Sequence, residues 1–300
     1  VEEDAWTVLV YMCGADLESG WDSYEGQYDP DHDVYYASED LTEIKKVTNQ
    51  PNDVNVVFEA GGSKRWSNTY KSLIDATKLN RFHLSGRNYV LDERINNASM
   101  GQASTLKSFV EWGMETYPAE KTALVLWNHG GGMRGVCYDE NYNDDSLLNS
   151  EMITALSGAG LGSSKKLEWI GYDACLMAVQ DIAEFNSAYA NYMVCSEESE
   201  AGYGWDYDTW LDDVFAKRST ETILTAIVDG FISDTNSLYR QYNWGASDQT
   251  LSWLDLSQMP AYKTAFDAFA TALSNKLKSS NVKANTFKNW VLSNVKYYGE

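Results

Sequence analysis

Apolar residues along this chain come in unbroken runs more often than in alternation. The stretches "WTVLVYMC" (6–13), "DVNVVFEA" (53–60), "KTALVLWN" (121–128), "KLEWIGYDA" (166–174) and "NYMVCSEE" (191–198) each hold consecutive hydrophobic positions. A strand reads this way when both of its faces are covered, as in a parallel sheet between two layers of helix. Between the runs, Leu41, Ile44 and Val47 fall at helical spacing and predict a helix over 39–47; Leu106, Phe109, Val110 and Met114 predict a second. Shorter helices are expected near 150–158 and over Leu176–Tyr189, the latter opening at Cys175. "KSLIDA", "KLNRFHL" and "NYVLDE", between residues 70 and 93, read as short strands or a hairpin. Strands alternating with helices point to an α/β fold with a mostly parallel central sheet flanked by helices.

Beyond about residue 215 the pattern becomes mainly helical. One helix is expected over 221–240, and another starts at Pro260, a good first-turn residue. The second carries Tyr262, Phe266, Phe269, Leu273 and Leu277 at mostly three- and four-residue steps, for which core packing is the default, and "DQTLSWLDL" (248–256) reads as a strand between the two. No internal repeat or low-complexity linker interrupts the chain. Residues 1–215 are therefore expected to form the core, and 216–300 a helical C-terminal part of the same domain.

Composition narrows the partners. The chain is 44 % hydrophobic and 22 % charged, a globular balance, and carries a net charge of −21. That field repels polyphosphate backbones and attracts basic peptides within a screening range of roughly 8 Å, so no nucleic-acid partner is expected. No apolar run approaches the roughly 20 residues of a membrane span. The chain opens at Val1, with neither Met nor a signal-like stretch, so any leader is expected to be absent from this sequence. Cys13, Cys137, Cys175 and Cys195 are widely spaced and include no C-x-x-C, which favours free thiols over a disulfide scaffold or a zinc site.

One of three histidines stands in "NHGGG" (128–132), directly after an apolar run. His129 then lies at the carboxyl end of a parallel strand, where open α/β sheets bind ligands. The next predicted strand ends at Cys175. Neighbouring strand ends would hold an imidazole and a thiol over one crevice, and the imidazole would deprotonate the thiol and then protonate a leaving amine. A helix opening at Cys175 would favour its thiolate. Gly130 would let a substrate carbonyl approach, its N–H and that of Cys175 forming an oxyanion hole. Read for packing alone, His129 would belong to a turn and Cys175 to the core.

At these residues the sequence resembles the clostripain-like cysteine peptidases, which share the caspase–gingipain type of fold. The matching stretches are "TVLVYMCGADLES" (7–19), "SEDLTEI" (38–44), "FEAGGSKRW" (58–66), "TLKSFVEWGMETYPAEKTALVLWNHGGG" (105–132), "IGYDACLMA" (170–178) and "SEESEAGYGWDY" (196–207). NHGGG and DACLMA at this separation are the specific pair. The resemblance implies His129 as general base and acid, Cys175 as nucleophile and Gly130 as oxyanion donor. It also implies Asp173 as the acid of a pocket selecting Arg or Lys at P1, with Asp206 as a second acid there. Taken alone, Asp173 fits a helix cap as well as a pocket, and Asp206 a loop anchor. Members are often matured by cleavage after a basic residue in the loop following the His strand; "CYDENYNDDSLLNSEM" (137–152) holds no Lys or Arg, so self-cleavage there is not expected. The same loop carries Asp139, Glu140, Asp144 and Asp145, oxygen ligands of the type calcium prefers, though without EF-hand spacing.

The expectation is a caspase-like cysteine endopeptidase, monomeric, secreted or on a bacterial cell surface. It would cleave after Arg or Lys through an acyl-enzyme with no required cofactor, calcium dependence being allowed by the resemblance. The competing readings are a carbohydrate-binding protein or glycosidase, suggested by eleven Trp and twenty Tyr, and a basic-peptide binder that does not cleave.

Overall fold

The computed structural model describes residues 3–22, 26–29, 34–243, 245, 247–279 and 281–294. Strand β1 (Asp4–Cys13) explains the unbroken apolar runs. Its Trp6, Val8, Val10 and Met12 enter one hydrophobic core, while Leu9, Tyr11 and Cys13 enter a second on the opposite face. Side chains alternate across a strand, so covering both faces demands hydrophobic residues at every position.

Eight strands form the main sheet, in the order β12 (Ser252–Asp255), β11 (Ala190–Cys195), β10 (Leu167–Asp173), β7 (Ala119–Trp127), β1, β4 (Val54–Gly61), β5 (Lys78–Ser85) and β6 (Asn88–Asn96). The five strands from β11 to β4 run parallel. The β5–β6 hairpin at one edge and β12 at the other are antiparallel. Two small ribbons complete the strands, β2 (Trp21–Asp22) with β3 (Gln27–Tyr28), and β8 (Val136–Asp139) with β9 (Asp145–Leu147).

Helices cover both faces, as the apolar runs require. On the first lie α2 (Tyr36–Ile44), α6 (Tyr207–Phe215) and α7 (Thr220–Gln241), contributing Leu41, Trp210 and Phe231 to the core. On the second lie α3 (Ala103–Thr116), α4 (Asn149–Gly158) and α5 (Gln180–Asn186), contributing Phe109, Leu156 and Ile182. The remaining helices are α1 (Ala15–Ser19), α8 (Met259–Lys278) and α9 (Asn281–Asn294).

Three expectations need correction. "KSLIDA" forms turns, not a strand. The helix expected to open at Cys175 begins only at Gln180. Leu176 adopts a left-handed φ of +64°, and the Leu176 and Ala178 N–H groups donate to the carbonyls of Glu198 and Ser196, which commits this backbone to a turn sewn onto the segment after β11. The aromatic stripe of α8 does not enter either core: Phe269 is 61 % exposed, and Tyr262 and Phe266 are exposed as well.

This division sets a stability contrast. Phe109→Ala, in the second core, should cost about 3–5 kcal/mol. Phe269→Ala on α8 should stay within about 0.5 kcal/mol of wild type. Urea denaturation of both variants checks this, and comparable losses would contradict the assignment of the two cores.

Candidate active site

The carboxyl ends of β7 and β10 build the site. Trp127 pairs with Asp173 in parallel register, and the Asn128 N–H donates to the Asp173 carbonyl at 3.3 Å. Each strand then runs two residues further, one to His129 and the other to Cys175. Asn128 brackets this end of the sheet. Its side-chain amide donates to the Cys13 carbonyl and accepts from the Tyr138 N–H, both at 2.7 Å. The glycines that follow are demanded by crowding: a Cβ on Gly130 would lie 2.1 Å from the Cys175 carbonyl oxygen, and Gly132 sits at φ +59° against the Leu176 carbonyl. Gly130 thus permits close approach of the two strand-end loops to each other.

Cys175 is the half-exposed cysteine of the four; the others are buried. Because no helix starts at it, a helix dipole does not act on its sulfur. Instead the Glu200 N–H donates to the Cys175 Sγ at 3.2 Å and fixes the position of the sulfur. The Glu200 carbonyl lies 3.8 Å from the same sulfur and accepts from the thiol.

His129 has a partner that its own sequence neighbourhood does not reveal. Its Nε2 lies 2.8 Å from Asp16 Oδ1, on the short helix after β1. Burial opposes protonation of the imidazole, but the Asp16 hydrogen bond and charge outweigh it, with Asp144 adding to them, and the His129 pKa is raised. For Asp16 burial likewise works upward and is outweighed by the bond and charge of His129, leaving its pKa lowered. The pair is half-exposed, so screening keeps its contribution to stability small. A bond at Nε2 leaves Nδ1 as the ring nitrogen for proton exchange with a substrate or thiol.

A cavity of about 280 Å³ is lined by both His129 and Cys175, and also by Trp127, Asp173, Glu200 and Gly204. Asp173 is buried, and its Oδ2 accepts from the Tyr207 hydroxyl at 2.9 Å and the Trp205 N–H at 3.4 Å. With no helix start beside it, the capping role left open by the sequence falls away. Gly204, at φ +64°, lies against the other oxygen, where a Cβ would come within 3.0 Å. Burial pushes the Asp173 carboxyl up to about 7; the Tyr207 and Trp205 bonds oppose this and the Glu43 charge adds to it. Both oxygens of Glu200 are buried without a hydrogen-bond partner among the described residues. Burial drives its pKa well upward, and the nearby Asp173 and Cys175 reinforce the shift.

Asp206 does not line this cavity. It stands at the N-cap of α6, its carboxyl pushed up to about 7 by burial, by Asp208 and by the charges of Glu43 and Asp234. In the acidic loop, Asp139 accepts from the N–H groups of Met100 and Asn141, Asp145 accepts from Ser99, and Glu140 accepts from the Lys64 N–H. These oxygens tie the loop to its neighbours. Among the described residues no group of three or more candidate ligands is arranged to hold a metal ion.

Sequence reasoning overlooked Asp16 and Glu200. Asp16 lies in "GADLES", within a matching stretch, but only the adjacency of β1 and β7 shows that it meets His129. Glu200 was hidden among the acids of "SEESEAGYGWDY". Its distinguishing feature is an unsatisfied buried carboxyl, which appears only in three dimensions.

The model of the clostripain family matches residues 29–299. Clostripain of Hathewaya histolytica is 26 % identical over 325 residues, covering 92 % of this chain; this chain spans 58 % of that protein's length. Among solved structures, a secreted C11 cysteine protease from Bacteroides thetaiotaomicron, iotapain, superposes with a TM-score of 0.62 at 18 % identity, over 86 % of this chain and 68 % of that one. An inactive zymogen C11 protease from Parabacteroides distasonis gives a TM-score of 0.60 at 21 % identity, over 87 % of this chain and 65 % of that one. At such identities these two likenesses establish the caspase-like fold alone.

The buried carboxyls carry a pH consequence. Asp173, Glu18 and Glu59 are buried and pushed up to about 7, so the folded chain holds protons that the unfolded chain has released above about pH 4. Stability then falls as pH rises, because the native state binds more protons, by at most about 1.4 kcal/mol per pH unit for each group. The melting temperature should be lower at pH 8 than at pH 5.5, and Asp173→Asn should flatten that dependence. A melting temperature that rises over this window would contradict it.

Proposed function

The chain belongs to the clostripain family, and from that premise we propose that it is a cysteine endopeptidase cleaving after Arg or Lys. The observation that carries this reading is the shared cavity, which His129 and Cys175 line together with a buried carboxyl, Asp173. Cys175 is the nucleophile. His129 takes the thiol proton, the sulfur attacks the scissile carbonyl carbon, and the imidazolium returns the proton to the leaving amine. Water, deprotonated by the same imidazole, then releases the acyl group from Cys175. The N–H groups of Gly130 and Cys175 stabilise the developing oxyanion. In support, neither N–H donates to another group among the described residues.

Asp173 is the acid that receives a basic P1 side chain. A cation entering a largely dry recess needs a carboxylate there. Asp206 stands outside the cavity lining, at the N-cap position of α6. Asp16 is a positioning residue that fixes the His129 ring and stabilises its protonated form, as second carboxylates do for catalytic imidazoles. Secretion is the matching expectation, in line with the description of the Bacteroides protein as secreted.

The direct test is turnover of peptides differing only at P1. Cys175→Ala should abolish cleavage and His129→Ala should lose nearly as much, because the two act as one unit. Asp173→Asn should lower the Arg-to-norleucine ratio of kcat/KM by roughly 30-fold or more. Near-wild-type turnover by Cys175→Ala, or an unchanged P1 ratio, would contradict the reading.

Asp16→Asn gives a separate expectation. Removing the carboxylate removes the force that raises the His129 pKa, so the limb of the pH–rate profile that reports the imidazole should move to lower pH. A purely structural Asp16 would reduce activity equally at every pH.

A further inference from the structure

Strand β1 leads directly into α1, and α1 forms one wall of the active site. Its Asp16 lies against the His129 ring, and its Leu17 lines the cavity shared by His129 and Cys175. A helix of five residues is too short to persist on its own hydrogen bonds. It also starts under strain, because Ala15 takes a left-handed φ of +44°, a region that residues with a Cβ rarely occupy. Such a conformation persists only where its surroundings over-determine it.

Glu18 supplies much of that restraint. It is fully buried and does not line the cavity. Its Oε2 accepts from the Ser38 N–H at 3.0 Å, and its Oε1 accepts from the Ser38 hydroxyl at 2.6 Å and from the Ser67 N–H at 2.9 Å. One side chain thereby joins α1 to the first turn of α2 and to the loop after β4. The ends of α1 are tied as well, since the Ser63 hydroxyl donates to the Ala15 carbonyl at 3.0 Å and Arg65 Nε to the Ser19 carbonyl at 2.6 Å. Gly14, just before the strained residue, is packed so closely that a Cβ there would lie 3.0 Å from the Cβ atoms of both Glu18 and Ser63.

A buried acid costs stability that an apolar side chain of similar size would not. What its directional bonds add is a fixed position and rotation for α1, and with them the 2.8 Å approach of Asp16 to His129. We propose that Glu18 is the latch of α1, a positioning residue that acts on His129 through Asp16. The inference rests on the peptidase reading for the use made of His129, but not for the contact itself. The charges that raise the His129 pKa are those of Asp16 and Asp144, so a change at Glu18 reaches the imidazole by moving Asp16. Gln cannot replace this acid. Whichever way its amide is turned, the NH2 group would face the N–H of Ser38 or that of Ser67.

The test follows the imidazole in place of turnover. The His129 ring is titrated by NMR in the full chain carrying Cys175→Ala, its resonances being those lost in His129→Ala. Glu18→Gln should lower the His129 pKa by about 0.5 unit or more, in the same direction as Asp16→Asn. Combined with Asp16→Asn it should lower the pKa no further. Ser38→Ala removes the hydroxyl donor and leaves the carboxyl in place; it should give a smaller drop of the same sign, and it carries the test if Glu18→Gln does not fold. Full additivity of Glu18→Gln and Asp16→Asn would show that Glu18 acts by another route, which overturns the proposal. A lower melting temperature with an unchanged His129 pKa in Glu18→Gln and Ser38→Ala would make Glu18 a core residue only, and overturns it too. Failure of the peptidase reading would appear separately, as absent turnover by the wild-type chain alongside the predicted titrations.

Discussion

The site depends on the parallel register between β7 and β10. With Trp127 opposite Asp173, two further residues on each strand bring the chain to His129 and Cys175. A slip of one residue would turn every side chain of a strand to the other face. The two-sided cores oppose any such slip, because adjacent residues such as Leu126 and Trp127 belong to different clusters. Gly130 then sets how near the loops come, since its backbone lies where the Cys175 carbonyl leaves no room for a Cβ. Packing of the sheet and placement of the two chemical groups are therefore one constraint.

Charge supplies the second theme. A chain with a net charge of −21 buries several carboxyls near one crevice, at a cost in stability that hydrophobic packing must offset. The acids around the site divide by what faces them. Asp16 meets an imidazole and is held ionised, Asp173 meets two donors, and Glu200 meets none at bonding geometry.

Much of this was legible in the sequence. The five parallel strands were visible as unbroken apolar runs, and His129 and Cys175 as residues at the ends of two of them. The turn after Cys175 was not visible: "LMAVQDIAEF" has helical periodicity, but Leu176 and Ala178 spend their N–H groups on the segment after β11, a long-range contact that overrides local propensity. The α8 stripe failed for a related reason, since periodicity reports an apolar face without saying whether anything covers it. Asp16 and Glu200 escaped because an acid in an acid-rich chain carries no signal until its neighbours are known. Asp206 attracted attention by its place in a motif, yet it stands at the N-cap position of α6, outside the cavity lining and among acidic neighbours.

The central claim is that Cys175 is the reactive thiol and that a recess with a buried acid, Asp173, lies beside it to receive a cationic side chain. Covalent labelling tests both together. The wild-type chain is treated with two peptidyl chloromethyl ketones, identical except for Arg or norleucine at P1, and the modified residue is mapped by mass spectrometry of proteolytic fragments. The account predicts a single adduct on Cys175, formed much faster with Arg, while buried Cys13, Cys137 and Cys195 stay unmodified. Labelling of one of those three in place of Cys175, or equal rates for the two reagents, would contradict it.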